Sequence, residues 1–239
     1  MILVVPIDSS IIDLTGCGVL GTLLNFLFCQ ETIPQKHPLR VERIVKDYYS
    51  LITSKQYMFP NLSYCLLISI IFIWMFEAPF MVMDNYGFSA IYYGVSQTMI
   101  FSCFFVGAIL NRYVLNRSTL RVLVKLALTI IAVGVIAFAL SAKFVNDMSI
   151  CIVCLMIIAT GSAMLFPPLN RLAMESSNVP MGSKAGIASI LVSISGVLTG
   201  LLVTIIPVNN LFDVAILIVA CVTLSVGFLF QIKIPEAID

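Results

Sequence analysis

Ionisable side chains are scarce: 239 residues carry 13 Lys and Arg, 12 Asp and Glu and one His. That histidine, His37, lies in a polar segment away from every cysteine. No nucleophile–base pair, glycine-rich phosphate loop or metal cluster can be assembled from the rest, so the chain does not read as an enzyme and no cofactor is expected. With a net charge of +1 and no basic block interleaved with aromatics, nucleic acid is not an expected partner. Lys and Arg are absent before Lys36, so the apolar start lacks the basic leader of an ordinary secretory signal. Cys17, Cys29, Cys65, Cys103, Cys151, Cys154 and Cys221 all fall inside apolar stretches. Cys151-x-x-Cys154 has metal or redox spacing but no second pair, and packing is the simpler reading.

What fills the chain instead is hydrophobic sequence, 60% of all residues, with a mean hydropathy of +1.08. Apolar stretches run over 60–83, 91–111, 126–142, 148–170, 185–206 and 211–232, with a shorter leader at 14–30. Each holds about 17–24 residues, enough at about 1.5 Å rise per residue to cross a hydrocarbon core of about 30 Å. The expected fold class is therefore an all-α membrane protein: a six-helix bundle preceded by one further transmembrane helix.

The cations are sorted. Twelve of the 13 Lys and Arg occupy alternate gaps, from Lys36, Arg40, Arg43, Lys46 and Lys55 through Arg112, Arg117, Arg121 and Lys125 to Arg171, Lys184 and Lys233. The intervening gaps hold only Lys143. By the positive-inside rule, segment 31–57 and the C-terminus are expected in the cytoplasm, in a cell inner membrane. The same sorting places Met1 outside, so residues 1–30 read as the remnant of one span followed by a complete one, and truncation is expected.

Within 31–57, Val41, Ile44, Val45, Tyr48 and Ile52 recur at helical spacing opposite Arg40, Glu42, Arg43, Lys46 and Asp47. That pattern suits an amphipathic helix on the membrane surface or a solvated linker helix. Residues 58–239 form the bundle domain. Pro79 and Pro167-Pro168 fall near the ends of their spans and are expected to bend them. Gly196-x-x-x-Gly200, in the small-residue stripe of 185–206, is expected to pack closely on a neighbouring helix, or on a second copy of the chain.

Glu77 is the only acidic residue well inside a span after residue 57. An intramembrane carboxylate tends to face a cavity, and three roles stay open for it: cation or proton binding, a hydrogen bond between helices, or an interfacial carboxylate. Ile70, Trp74, Glu77 and Met81 share one helical face, and Trp74 beside a carboxylate suits an amphipathic cation.

Several patches together resemble the C-terminal half of a major facilitator superfamily transporter, most closely the drug:proton antiporters of the Bcr/CflA (bicyclomycin and chloramphenicol resistance) type. They are Glu31-Thr32, Phe76-Glu77-Ala78-Pro79-Phe80, Tyr86-Gly87-Phe88-Ser89, Tyr93-Gly94, Asn111-Arg112 with Arg117 and Arg121, Gly161 followed by Phe166-Pro167, and Ala185-Gly186-Ile187-Ala188-Ser189. Gln30 stands where that family usually has proline, and Pro168 where it commonly has asparagine. The resemblance implies that 14–30 is a sixth span, 31–57 the central loop, and 60–232 spans seven to twelve. It implies Trp74, Glu77 and Met81, with Phe105, Met164 and Asn170 on facing spans, as substrate-binding candidates. For Arg112, Arg117 and Arg121 it implies a cytoplasmic gate, although topology alone also accounts for them.

The expected function is the C-terminal portion of a proton-coupled efflux transporter of small organic compounds. Its expected partners are substrate, protons, the lipid bilayer, and a separately encoded N-terminal half or a second copy. The alternative is a membrane remnant or interaction protein that does not transport.

Overall fold

The computed structural model describes residues 9–28, 41–206, 208 and 210–232. Within them the chain is helical throughout, with no strand. The helices are α1 (Ser9–Phe28), α2 (Val41–Thr53), α3 (Lys55–Pro79), α4 (Ala90–Leu115), α5 (Leu120–Leu140), α6 (Met148–Glu175), α7 (Met181–Ile205) and α8 (Leu211–Phe230). Wider π-turns extend α3 over Phe80–Asn85 and α5 over Ser141–Val145. Among the described residues, six elements are long and apolar enough to cross a membrane: α3 and α5 with their extensions, α4, α6, α7 and α8. Helices are what lipid demands, because each satisfies its own backbone.

The spans match the six apolar runs but mostly overshoot them. The first covers Lys55–Asn85 where the apolar run is 60–83, and the fourth reaches Glu175. Backbone hydrogen bonding continues into the polar interface, while hydropathy stops at the hydrocarbon. Caps set the ends. Ser89 accepts from the Tyr92 amide, the Asp147 carboxylate accepts from the Ser149 and Ile150 amides, and Asn210 and Asp213 form a reciprocal capping box.

Two compact units divide the chain, residues 1–40 and 41–239. In the first, α1 overlaps the 14–30 leader, while Gln30, Glu31, Thr32 and His37 lie outside the described residues. In the second, α3 and α6 form the centre. α3 packs mainly on α7 and α8, α6 packs mainly on α4 and α5, and α3 and α6 pack on each other. The triplet α3–α4–α5 thus exchanges partners with α6–α7–α8: the first helix of each packs on the second and third of the other. Because two spans, α4 and α5, lie between them, α3 and α6 run in opposite directions, which makes the triplets an inverted repeat.

Close contacts between helices depend on small residues at particular places. A β-carbon added at Gly107 in α4 would overlap the Thr160 carbonyl and Ala163 of α6; one at Gly161 would come within 2.6 Å of the Ile131 side chain of α5. Gly196 and Gly200 of α7 meet the edges of the Phe72 and Phe76 rings on α3 instead, at 3.2 and 3.5 Å from an added β-carbon. The Gly-x-x-x-Gly pair therefore seats aromatic rings, and the tight backbone approaches belong to Gly107, Gly134 and Gly161. Buried Ser63 and Ser225 join α3 to α8 through hydroxyls 2.7 Å apart.

α2 docks on the bundle. Leu51 is fully buried in a small apolar cluster with Tyr57, Ala173 and Ile187, flanked by Tyr48, and the Tyr48 hydroxyl lies beside Gly186 of α7. Val45, Tyr49 and Ile52 stay exposed. The docking side, centred on Tyr48 and Leu51, is thus rotated from the expected apolar stripe: Leu51 was not in it, and Val45 and Ile52 lie off it. The neighbouring helix ends choose which side is covered.

Candidate functional site

Among the described residues, the bundle's cations other than Lys143 gather at one end. Lys55 and Phe59 at the start of α3, Glu175 at the end of α6 and Gln231 after α8 line one cleft; Leu120 at the start of α5 and Arg171 line another. At the opposite end, the Tyr86 hydroxyl donates to the Asn146 side-chain oxygen at 2.5 Å, and Tyr92 pairs with Ser149 at 3.2 Å. Asn146 takes a left-handed conformation at φ 52°, which asparagine tolerates well. Burial and the neighbouring Cys151 and Asp147 raise the Tyr86 hydroxyl above its ordinary pKa, so it stays a donor at neutral pH.

Ile70, Trp74, Glu77 and Met81 do share one face of α3, and all four are buried. Ile70, Trp74 and Met81 belong to the main apolar core, as does Met164 of α6. Glu77 is 8% exposed, and among the described residues its carboxylate has no ion-pair or hydrogen-bond partner. The indole of Trp74 lines a void of about 20 Å³ between α3, α4 and α6, shared with Gln97 and Ser162. The Trp74 Nε1, both amide atoms of Gln97 and the Ser162 hydroxyl are buried there without hydrogen-bond partners. Indole only donates, while the amide and hydroxyl both donate and accept, so the set is complementary to one water-sized guest. The volume agrees, since a water needs about 10–15 Å³ by this measure. A drug-sized molecule does not fit.

A larger recess, of about 420 Å³, opens where α3, α6 and α7 meet. Asn61 and Tyr64 come from α3, Asn170 and Met174 from α6, and Ala185, Ala188, Ser189, Val192 and Ser193 from α7. Each element contributes through its cation-end turns. Asn61 donates its amide to the Tyr57 carbonyl at 2.9 Å, which leaves its oxygen to accept. Ser189 and Ser193 return their protons to carbonyls one turn back in α7, so they too present lone pairs. Tyr64 packs on Phe166 with ring centroids 4.8 Å apart, and Phe166 packs on Phe104 at 6.0 Å. The result is an uncharged, amphipathic groove with amide and hydroxyl acceptors on an aromatic and aliphatic lining.

Of the six expected substrate contacts, only Asn170 reaches this groove. Glu77 lies 13 residues beyond Tyr64 on α3, about 20 Å along the axis, and Phe105 is 76% exposed. Asn61, Tyr64, Gln97 and Ser162 were missed. Asn61 and Gln97 carried a legible signal, since an amide inside an apolar span is costly unless it has a structural or functional use.

Arg112, Arg117 and Arg121 lie on α4, the following loop and α5 in turn. Arg117 sits over the Tyr113 ring, 4.4 Å from its centroid, Arg112 is exposed in the last turn of α4, and Arg121 lies near the start of α5. The cation that ties helix ends together is Lys184, which is 5% exposed. Its ammonium donates to the Met174 and Ser177 carbonyls at the end of α6, and its own carbonyl accepts from Tyr57 at 2.5 Å. A cation among terminal carbonyls is favoured by the helix dipole as well as by the bonds. No protein-family model and no curated protein matches this sequence.

Proposed function

We propose that residues 41–232 form one half of an alternating-access transporter that exports small, amphipathic organic compounds in exchange for protons across a cell inner membrane. The observation that carries the reading is the partner exchange between α3–α4–α5 and α6–α7–α8. Inverted repeats of this kind underlie secondary transporters, whose substrate paths lie where the repeats meet. In this chain the α3/α6/α7 groove, between helices of both triplets, is this half's share of the path. The motif resemblance to the Bcr/CflA-type drug:proton antiporters supports the same assignment and supplies the coupling ion.

The lining narrows the cargo. Among the described residues no carboxylate or cation lines the groove, so it suits neutral or weakly polar molecules held by hydrogen bonds to Asn61, Asn170, Ser189 and Ser193 and by the Tyr64 ring. Alternating access requires a second bundle facing this groove.

The test is accumulation of amphipathic dyes in the source organism with the gene for this chain deleted and then restored. Deletion raises retention, wild type reverses it in a way that a protonophore abolishes, and Ser189→Trp, which fills the groove, does not reverse it. Unchanged dye retention on deletion across neutral and cationic dyes overturns the reading.

A further inference from the structure

A second recess lies on the opposite flank of the bundle, where the start of α5 meets the end of α8. It holds about 440 Å³ and runs between Arg121, Val124, Lys125 and Leu128 on one wall and Val226, Leu229 and Phe230 on the other. Two features set it apart from ordinary lipid-facing surface. Arg121 and Lys125 are one helical turn apart on α5, so they present two positive charges on one edge, and among the described residues no acidic one lines the recess. Everything deeper is hydrocarbon: Val124, Leu128, Val226 and Leu229. From Arg121 to Leu128 the groove follows α5 for about 10 Å, the depth of the first part of an acyl chain.

We infer that this groove is a binding site for an anionic phospholipid, with the headgroup phosphate on Lys125 and Arg121 and one acyl chain along Val124, Leu128 and Val226. Charge complementarity and position select this occupant. A membrane-spanning helix pair exposes the recess to the bilayer, the two cations stand at headgroup height at the helix ends, and the floor accepts alkyl chain and nothing polar. Basic pockets between transmembrane helices at the cytoplasmic surface bind anionic headgroups on the same physical grounds. Arg121 also engages a partner within the chain, so Lys125 carries the first contact and Arg121 the second. The inference rests on the inward placement of these helix ends and is independent of what the α3/α6/α7 groove transports.

The experiment is native mass spectrometry of the full chain released from nanodiscs, with phosphatidylglycerol or phosphatidylcholine of identical acyl chains as probes. Each surface cation contributes about fivefold, so phosphatidylglycerol is retained roughly 25-fold more tightly. Arg121→Gln with Lys125→Gln removes that preference. Lys125→Gln alone reduces it about fivefold, while Lys125→Arg keeps it. Val226→Trp fills the groove and weakens lipid retention with both charges in place, and Lys143→Gln at the far end of the bundle changes nothing. Circular dichroism confirms that each variant keeps its helix content, and the single Lys125 variants decide the matter should the double variant unfold. Equal retention of the two lipids by wild type overturns the inference. So does an unchanged preference in Lys125→Gln, or displacement of phosphatidylglycerol by millimolar inorganic phosphate regardless of acyl chain.

Discussion

The Asn111 side chain on α4 donates to the Met164 carbonyl on α6 at 2.6 Å, and Met164 is four residues before Pro168. In an uninterrupted helix that carbonyl would accept from the amide of residue 168, and proline has none. Asn111, 6% exposed, therefore replaces a backbone bond that α6 cannot make for itself. It accounts for Pro168 within the continuous α6, which also contains Pro167.

Asn111→Ala should then cost about 1–3 kcal/mol, the usual penalty for a buried acceptor left without a donor. Pro168→Ala supplies the missing amide, so the double variant should be more stable than Asn111→Ala alone. Thermal unfolding of the detergent-solubilised chain, set out as a double-mutant cycle, measures the coupling. A purely additive pair would show that Asn111 does not stand in for the amide.

Packing by glycine should be graded. Gly107→Val forces side-chain atoms into the Thr160 backbone, which cannot retreat without moving α6, and should cost at least about 3 kcal/mol or prevent assembly. Gly196→Ala meets only the Phe72 ring edge and should cost less than about 1 kcal/mol. Loss of helix content and earlier thermal unfolding would register the difference, and a reversed order would refute the assignment of the close contact to α4 and α6.

Lys184 should matter for stability more than a loop cation does. Lys184→Met leaves the Met174 and Ser177 carbonyls without their charged donor, at about 1.5–3 kcal/mol. Tyr57→Phe removes one neutral bond and should cost about 1 kcal/mol. Arg112→Met, with an exposed side chain, should stay within about 0.5 kcal/mol of wild type. Denaturation of the three variants side by side gives the ranking.

Sidedness can be measured directly. In a background without the seven native cysteines, Tyr86→Cys and Asn146→Cys should react in intact cells with a maleimide that cannot cross membranes. Asn116→Cys and Ser177→Cys should react only after permeabilisation. The opposite pattern would invert the orientation inferred from the cations and remove the basis for the anionic-lipid site.

How much of this was legible beforehand depended on the kind of residue. Apolar length determined that 60–232 forms six spans, because lipid leaves an unpaired backbone no alternative to the helix. Period also put Ile70, Trp74, Glu77 and Met81 on one face of α3. Whether that face met a cavity or the core was a question about α4 and α6, and the core took it. Asn170 belongs to the groove only because Asn61 and Ser189, more than a hundred residues away from one another, arrive beside it.

Arg121 and Lys184 mark the same boundary. As charges in alternate gaps they read alike, both determinants of orientation. The fold buries Lys184 among the carbonyls ending α6 and leaves Arg121 beside an apolar groove next to α8. By itself, then, the sequence determined the helical class, the spans and the side on which cations collect, since hydropathy and charge are local and the bilayer acts on each residue in turn. The tertiary structure alone decided which cation caps a helix, which glycine admits a backbone and which polar residues share a groove. Those properties belong to pairs of residues, and a pair exists only once two distant segments have packed.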